Sequence, residues 1–208
     1  GDATTENTVH VQVPAGGEVV REYDAIDRLT AETQDEKAAG IHNRTEFAYD
    51  KAGNLVEITD NQGHKTKIEY DLLNHEIRRT APDGGVTRSF YNGNGLLAKQ
   101  VLPNQYDPKA DNGEGYQYTY DHQGRILTVV GPDGHVLQTN TYDGDGRLLQ
   151  QLDAVQSGAS FTYDLAGNHV HIQTTGGATQ PREYDARGNL VGVVDGNHNR
   201  TRDRLDEW

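Results

Sequence analysis

Short runs of alternating apolar and polar residues make up most of this sequence. Such runs occupy 66–70, 116–120 and 191–194, and they are rich in Val, Ile, Thr and Tyr. Alternation with a period of two is typical of β-strands. Turn sequences rich in Pro, Asp, Asn and Gly stand between such runs, at 60–63, 82–85 and 132–134. The pattern predicts an all-β fold, in which the one plausible helical turn is 34–39.

A seven-residue motif, Tyr-Asp-x-x-Gly-(Asn/Arg)-Leu, recurs along the chain. Its eight copies, three of them degenerate, begin at Tyr23, Tyr49, Tyr70, Tyr91, Tyr120, Tyr142, Tyr163 and Tyr184. Successive tyrosines are 26, 21, 21, 29, 22, 21 and 21 residues apart. A period kept through most of a chain marks a repeat architecture, in which each unit is stabilised by its neighbours.

Two other positions of the motif carry turn chemistry. Directly after the tyrosine stand Asp24, Asp50, Asp71, Asn92, Asp121, Asp143, Asp164 and Asp185. Four residues after the tyrosine stand Asp27, Gly53, Asn74, Gly95, Gly124, Gly146, Gly167 and Gly188. Asp and Asn side chains accept hydrogen bonds from the backbone two residues on, and Gly, Asn and Asp best tolerate positive φ. We therefore predict that these are structural repeat positions: Tyr ends a strand, Asp opens a turn and Gly closes it.

A second turn midway between motifs makes each unit a β-hairpin, which needs its neighbours for stability. We expect the tyrosines, aligned from one unit to the next, to supply much of the apolar burial. The repeat region is predicted to span 23–208, and 1–22 to form an atypical N-terminal β segment or cap. The two long spacings indicate insertions near 33–43 and 104–115, which we predict to be surface loops. Because the sequence lacks an initiator Met and stops soon after a repeat, we expect a piece of a longer protein with an exposed sheet edge.

Composition changes this picture little but excludes some partners. Val, Ile, Leu and Phe make up 41 of 208 residues and the net charge is -13, which borders on the composition of disordered chains. The acidic balance argues against nucleic acid and anionic membrane surfaces. No run approaches the roughly 18 apolar residues of a membrane-spanning helix, so we expect no membrane insertion by this segment. The chain has no cysteine.

Motifs that carry catalytic chemistry are missing from the sequence, so we expect no enzyme, no cofactor and no metal. His169 and His171 would share one face of a strand and could bind a metal, although exposed strand histidines are the simpler interpretation. The residues 195–199 with Asp206 have the spacing of a calcium loop, but Arg200 stands where that loop needs Gly. A polar loop is the simpler interpretation there.

The in-phase motif from Tyr23 onward resembles the YD repeats of Rhs proteins and their relatives. These include bacterial polymorphic toxins, the B and C subunits of insecticidal toxin complexes, and the animal teneurins. The resemblance implies a YD-repeat β-solenoid of stacked antiparallel hairpins, a section of a hollow shell that encapsulates a C-terminal toxin domain for delivery or interbacterial competition. The implied partners are the remainder of the shell, the toxin cargo and secretion-system components.

The same resemblance implies a secreted or cell-surface bacterial location, with the segment exported as part of a larger protein. The family's self-cleaving C-terminal core has no convincing counterpart in this sequence. An alternative function is a cell-surface YD-repeat module that binds glycans or a partner protein. Aromatic residues clustered on one exposed face, such as Tyr116 and Tyr118, would favour that alternative.

Overall fold

The structure, a computed structural model, describes residues 7–13, 17–36, 41–177, 179–185, 187–194 and 200–202. Within these ranges the chain forms strands and turns and contains no helix. The prediction of an all-β fold built from antiparallel hairpins is confirmed. The chain divides into two compact units, residues 1–113 and 114–208.

The first unit is a meander in which each strand pairs antiparallel with the next strand along the chain. Its strands are β1 (Asn7–Val13), β2 (Gly17–Tyr23), β3 (Leu29–Glu36), β4 (Ile41–Tyr49), β5 (Leu55–Thr59), β6 (Lys65–Tyr70), β7 (Glu76–Thr80), β8 (Val86–Tyr91) and β9 (Leu97–Val101). A separate small hairpin follows, formed by β10 (Tyr106–Asp107) and β11 (Asn112–Gly113).

The second unit is also an antiparallel meander in chain order. Its strands are β12 (Tyr116–Tyr120), β13 (Ile126–Val130), β14 (Val136–Tyr142), β15 (Leu148–Asp153), β16 (Gly158–Tyr163), β17 (His169–Thr174), β18 (Thr179–Tyr184), β19 (Leu190–Val194) and β20 (Arg200–Arg202). In both units, therefore, successive hairpins join edge to edge through backbone hydrogen bonds.

A β-bulge accompanies every copy of the motif. At Tyr49, for example, the tyrosine pairs with Leu55 and the preceding Ala48 pairs with Glu57, so Val56 is the extra residue. The same register shift occurs beside the tyrosines of the other seven copies. Bulges bend a strand and increase its local twist, so each repeat adds the same local bend to its sheet.

Two sequence predictions are wrong in detail. The proposed helical turn at 34–39 is strand as far as residue 36, and residues 37–40 lie outside the described ranges. The insertion near 33–43 is not a loop over the described part: β3 and β4 are eight and nine residues long and pair up to Glu36 and Ile41. The extra residues lengthen this hairpin, since the ladder runs from the Thr33–Arg44 pair to the Glu36–Ile41 pair. The β-branched Thr33 and Thr45 favour strand in this segment. The insertion at 104–115 contains the hairpin β10–β11.

Few side chains are fully buried. Among the described residues the buried hydrophobic side chains are Ala31, Ile68 and Val101, and buried polar ones are Asp24, Thr33, Ser89 and Asn140. Most strand residues are half-buried. The low apolar content thus suits a sheet that is held mainly by its ladder of backbone hydrogen bonds and by side-chain contacts along its faces.

Candidate functional site

The most regular feature of the molecule is the turn that follows each repeat tyrosine. In the turn at Asp50, the Oδ1 atom accepts hydrogen bonds from the amides of Ala52 and Asn54, both at 2.9 Å. The Asp50 amide donates to the Asn54 carbonyl at 2.9 Å, and the Gly53 amide donates to the Asp50 carbonyl at 3.2 Å. Equivalent bonds form at Asp24, Asp71, Asn92, Asp121, Asp143, Asp164 and Asp185.

The residue four positions after each tyrosine has the left-handed conformation that the substitution pattern predicts. The φ angles are 93° at Gly53, 77° at Gly95, 81° at Gly124, 90° at Gly146, 88° at Gly167 and 82° at Gly188. The two substituted copies have φ of 61° at Asp27 and 64° at Asn74. A three-residue loop closed by a residue in this conformation is a common hairpin connection.

Each repeat tyrosine is the last residue of its strand. The hydroxyls of Tyr49, Tyr70, Tyr91, Tyr142 and Tyr163 also join two repeats. The Tyr49 hydroxyl donates to the Leu29 carbonyl at 2.9 Å, and Leu29 is the first residue after the preceding turn. The same bond, to the equivalent carbonyl of the preceding repeat, is made by Tyr70 to Leu55, Tyr91 to Glu76, Tyr142 to Ile126 and Tyr163 to Leu148. We call this series of bonds the tyrosine ladder. Burial raises the pKa of the Tyr70, Tyr91 and Tyr163 hydroxyls.

The residue five positions after the tyrosine, which we call position 5, connects the turn to the next tyrosine. Arg125 is ion-paired with Asp121 at 2.5 Å, and its guanidinium lies 4.4 Å from the ring centre of Tyr142. Arg28 makes the same two contacts with Asp24 and Tyr49. Arg147 makes them with Asp143 and Tyr163. His75 contacts Asp71 at 2.9 Å and stacks on Tyr91 with ring centres 4.6 Å apart.

Asparagine occupies position 5 in three other repeats and bonds the turn carboxylate directly. Asn54, Asn168 and Asn189 each donate from Nδ2 to the Oδ2 atom of Asp50, Asp164 and Asp185, at 3.0, 2.9 and 2.9 Å. These side-chain bonds, followed by the backbone amide of the same asparagine, lower the pKa of the three aspartates. Each carboxylate is therefore held in its charged form by hydrogen bonds within its own turn.

Sequence reasoning found the turn residues but missed the roles of the hydroxyl and of position 5. The restriction of position 5 to Arg, His and Asn in seven of the eight copies was the available signal, since all three can donate a hydrogen bond to the turn carboxylate. The acceptor of the tyrosine hydroxyl is a backbone carbonyl, and no residue type marks it in the sequence.

The described residues contain no group of three His, Cys, Asp or Glu side chains that could hold a metal ion. His171 lies in β17 opposite Thr162 and the backbone of His169 lies opposite Tyr163, while the His169 side chain lies outside the described part. The calcium-like positions 195–199 and Asp206 also lie outside it. In the same part of the chain, no helix is long and apolar enough to cross a bilayer.

The tyrosines Tyr116, Tyr118 and Tyr120 occupy alternate positions of β12, and each is half-buried, whereas Gln117 and Thr119 between them are exposed. Burial raises the pKa of Tyr118 and Tyr120. The face formed by these aromatic side chains is thus partly covered.

Comparison with known proteins identifies the repeat. Residues 49–86 match the family described as RHS Repeat. The chain is similar to "Double-stranded DNA deaminase toxin A" of Burkholderia cenocepacia (strain H111), with 28% identity over 156 residues, which are 62% of this chain and 10% of that protein. It is also similar to "Probable deoxyribonuclease RhsB" of Dickeya dadantii (strain 3937), with 28% identity over 210 residues, 89% of this chain and 14% of that protein.

A third relative is "tRNA3(Ser)-specific nuclease WapA" of Bacillus spizizenii, which is 27% identical over 196 residues, 92% of this chain and 8% of that protein. The chain thus spans between 8% and 14% of the length of these three relatives. The RHS match and these relatives confirm the resemblance found in the sequence: residues 49–86 carry the RHS repeat, and the chain is similar to proteins that include a toxin and an Rhs protein.

Solved structures share the fold. "Crystal Structure of TcdB2-TccC3-TEV" matches with a TM-score of 0.69 and 14% identity, covering 90% of this chain and 11% of the matched chain. "Crystal Structure of TcdB2-TccC3" matches with a TM-score of 0.62 and 16% identity, covering 94% of this chain and 13% of the matched chain. The antiparallel fold of this chain is therefore shared with part of each of these solved structures.

Proposed function

We propose that this chain is a structural segment of an Rhs-type shell that encapsulates a C-terminal toxin domain for delivery or interbacterial competition. The observation that carries the proposal is the tyrosine ladder. It repeats one bond between neighbouring units, from the Tyr49–Leu29 pair to the Tyr163–Leu148 pair. A bond that recurs between neighbouring units suits a continuous wall, because each of these units is held by its neighbours.

The repeat positions have structural roles in this proposal. The motif aspartates of the second unit are engaged in turns and position-5 contacts rather than in paired-carboxylate chemistry. The segment itself is therefore proposed not to be an enzyme. Two relatives are named as a nuclease and a deaminase toxin, and this chain corresponds to a tenth or less of either. We assign the toxic activity to a separate domain.

The proposal also fixes partners and location. The segment would contact the remainder of its own shell and the toxin cargo, and it would be exported as part of a larger bacterial protein, with secretion-system components as further partners. Its net charge of -13 disfavours nucleic acid as a direct ligand.

The test is made on the polypeptide encoded by the complete reading frame. We expect more in-phase repeats on at least one side of this segment and a non-repeat domain at the C-terminus. We further expect that domain to resist protease in the intact protein and to become sensitive when the repeat wall is opened by a Gly146→Val substitution. A C-terminal domain that is digested equally in both proteins would refute encapsulation.

The alternative, a surface module that binds glycans or a partner protein, has weaker support. It was favoured by an exposed aromatic face, and Tyr116, Tyr118 and Tyr120 are half-buried. A glycan array probed with the 208-residue chain separates the two functions, since a shell wall is expected to give no binding above that of a heat-unfolded sample.

A further inference from the structure

The insertion between the fourth and fifth motifs is fastened across one face of the first unit. We call residues 104–113, which include β10 and β11, the strap. A Cβ atom added to Gly113 would lie 1.9 Å from the Gln105 carbonyl oxygen and 3.1 Å from Cγ1 of Val101. The strap backbone therefore lies directly over Val101, the last residue of β9, whose side chain is 0% exposed. Within the strap itself, the close approach of the Gln105 carbonyl leaves room only for glycine at position 113.

A single carboxylate fastens the strap to the sheet. Arg78 and Arg88 stand directly opposite each other on β7 and β8. Asp111 of the strap accepts from both: Arg88 lies 3.1 Å (Nε) and 3.0 Å (Nη2) from Asp111 Oδ2, and Arg78 donates to Oδ1. Tyr106 donates its hydroxyl to Asp111 Oδ1 at 2.7 Å and accepts from Arg78. We call these four residues the clamp.

The clamp resolves a charge conflict in the sheet. Like charges directly opposite each other on neighbouring strands are destabilising, and Arg78 and Arg88 form such a pair. The Asp111 carboxylate lies between the two guanidinium groups and offsets one of their two charges. Hydrogen bonds from Arg88 and Tyr106 hold the pKa of Asp111 well below its usual range. The Tyr106 pKa is raised by the same hydrogen bond. Without Asp111 the two arginines would lose the carboxylate that they share. Arg88 would keep its bond to the Ile77 carbonyl and its place 5.1 Å from the ring centre of Phe90. Arg78 would keep its bond to the Tyr106 hydroxyl and its 3.9 Å approach to Glu69.

The strap has little internal stability of its own. Its two strands are two residues long, and isolated hairpins are marginal even when longer. Apart from the clamp, its side-chain attachment to the sheet in the described residues is the Lys99 bond to Asn112 Oδ1, at 3.2 Å. The Asp111 side chain is 46% exposed, so salt and water reach the clamp.

From these observations we propose that the strap is a cover locked by Asp111, which opens and closes while the sheet beneath it stays folded. Opening uncovers Val101 and frees two adjacent arginines, which creates a cationic patch with an apolar edge on an otherwise acidic chain. Such a patch would take a carboxylate-bearing peptide segment in place of Asp111. The strap thereby makes one face of the first unit switchable, a property that the repeats themselves do not have.

The absence of cysteine from the chain allows a clean test. Val101→Cys places one thiol under the strap, and its rate of reaction with a maleimide reports opening. Asp111→Asn keeps the shape and suits the positive φ of 49° at this position but removes the charge. We expect labelling to accelerate about tenfold or more, because charged hydrogen bonds are lost. Asp107→Asn removes the same charge from the same strap without touching the clamp and should leave the rate unchanged.

Hydrogen exchange of the same Asp111→Asn variant without the cysteine distinguishes a cover from a general support. We expect faster exchange over 104–113 and unchanged exchange in β5 and β6. Three outcomes would overturn the proposal: an unchanged labelling rate, an equal acceleration by Asp107→Asn, or loss of protection throughout the sheet. If Val101→Cys does not fold, the exchange experiment decides alone.

Discussion

At the scale of single residues, the tyrosines of the ladder act through both their rings and their hydroxyls. The ring covers the sheet beside position 5, and the hydroxyl satisfies a carbonyl of the preceding repeat, as Tyr70 does for Leu55 at 3.0 Å. A phenylalanine keeps the first role and loses the second. The two roles can therefore be separated by removing one atom.

We expect Tyr70→Phe to destabilise the chain by about 1 kcal/mol, the usual cost of losing a hydrogen bond whose acceptor stays half-buried. The matched control is Tyr118→Phe, because the Tyr118 hydroxyl has no hydrogen-bond partner within the part of the chain that is described. Urea unfolding measures both. Equal effects of the two substitutions would show that the ladder bonds add nothing to stability.

The turn glycines differ in how much room they have. Gly134 and Gly146 both have positive φ, 81° and 90°. A Cβ atom added at Gly134 would meet no atom within 4 Å, whereas one added at Gly146 would lie 2.7 Å from Arg125 Nη1. The Arg125 guanidinium would have to shift to make room, and this shift would disturb its contacts with Asp121 and Tyr142.

We expect Gly134→Ala to cost about 1 kcal/mol, from the conformation alone, and Gly146→Ala to cost more by roughly 0.5–1 kcal/mol, from the displaced cation–π contact. Thermal unfolding of the two variants gives the difference. If Gly146→Ala is no worse than Gly134→Ala, the arginine at position 5 is not fixed between the turn and the tyrosine.

The turn aspartates make the stability of the folded chain depend on pH in the acidic range. The pKa of Asp50 is lowered, first by the Asn54 side chain and then by its amide, whereas an unfolded aspartate titrates near 3.9. Because the folded pKa is the lower one, the contribution of Asp50 is fully present above about pH 4 and is lost as pH falls through the folded pKa.

We therefore expect Asp50→Asn to be less stable than the parent chain at pH 7 and to lose less stability between about pH 5 and pH 2. Chemical denaturation at a series of pH values measures this. Parallel pH profiles for the two proteins would mean that Asp50 is not a source of the acid sensitivity.

At the scale of elements, the junction between two repeats depends on two side chains. The side chain at position 5 of one repeat lies beside the residue that comes four positions after the tyrosine of the next repeat. The pairs are His75 with Gly95, Arg125 with Gly146, and Asn168 with Gly188. Only the short Asn54 faces a residue with a side chain, and its Nδ2 donates to Asn74 Oδ1 at 2.7 Å. Among these junctions, the long residues His75 and Arg125 are each matched with glycine in the next turn.

This matching predicts non-additive substitutions. We expect Asn54→Arg to destabilise the chain because the guanidinium would crowd Asn74. We expect Asn74→Gly to destabilise it because the hydrogen bond from Asn54 Nδ2 to Asn74 Oδ1 is lost. In the double variant the arginine should pair with Asp50 and stack on Tyr70, as Arg125 does with Asp121 and Tyr142. The double-mutant coupling should be favourable by about 0.5–1 kcal/mol. Additive effects would argue against a matching rule.

The sequence predicts the elements whose chemistry is local. Strand, turn and left-handed positions follow from alternation and from the Gly, Asn and Asp substitutions, because each of these preferences is set within about five residues. The bulge beside each tyrosine does not follow, since it depends on the register between strands. The strap was predicted only as a loop, because its clamp joins Asp111 to arginines 23 and 33 residues earlier.

At the scale of the molecule, contacts between elements run mainly between successive strands. Repeats with neighbours-only contacts behave as modules whose stabilities add approximately. In the first unit, residues 49–69 form one complete module of two strands and two turns, ending immediately before Tyr70. Its removal joins Ala48 to Tyr70 and brings that tyrosine to the place of Tyr49, beside Leu29 and Arg28.

We expect the chain without residues 49–69 to keep its β-sheet circular dichroism and to unfold cooperatively, with a urea m-value lowered roughly in proportion to the surface lost. The tyrosine ladder explains why: the Tyr70 hydroxyl would bond the Leu29 carbonyl as Tyr49 does. The control deletion, residues 55–64, removes one strand and one turn. Because one strand is lost, every later strand of the unit runs in the opposite direction. The later tyrosines then lie at the other end of the strands, away from the carbonyl of Leu29. The ladder bond cannot form across the junction. Equal cooperativity in the two deletions would show that strand pairing alone, without the tyrosine ladder, sets the order of the repeats.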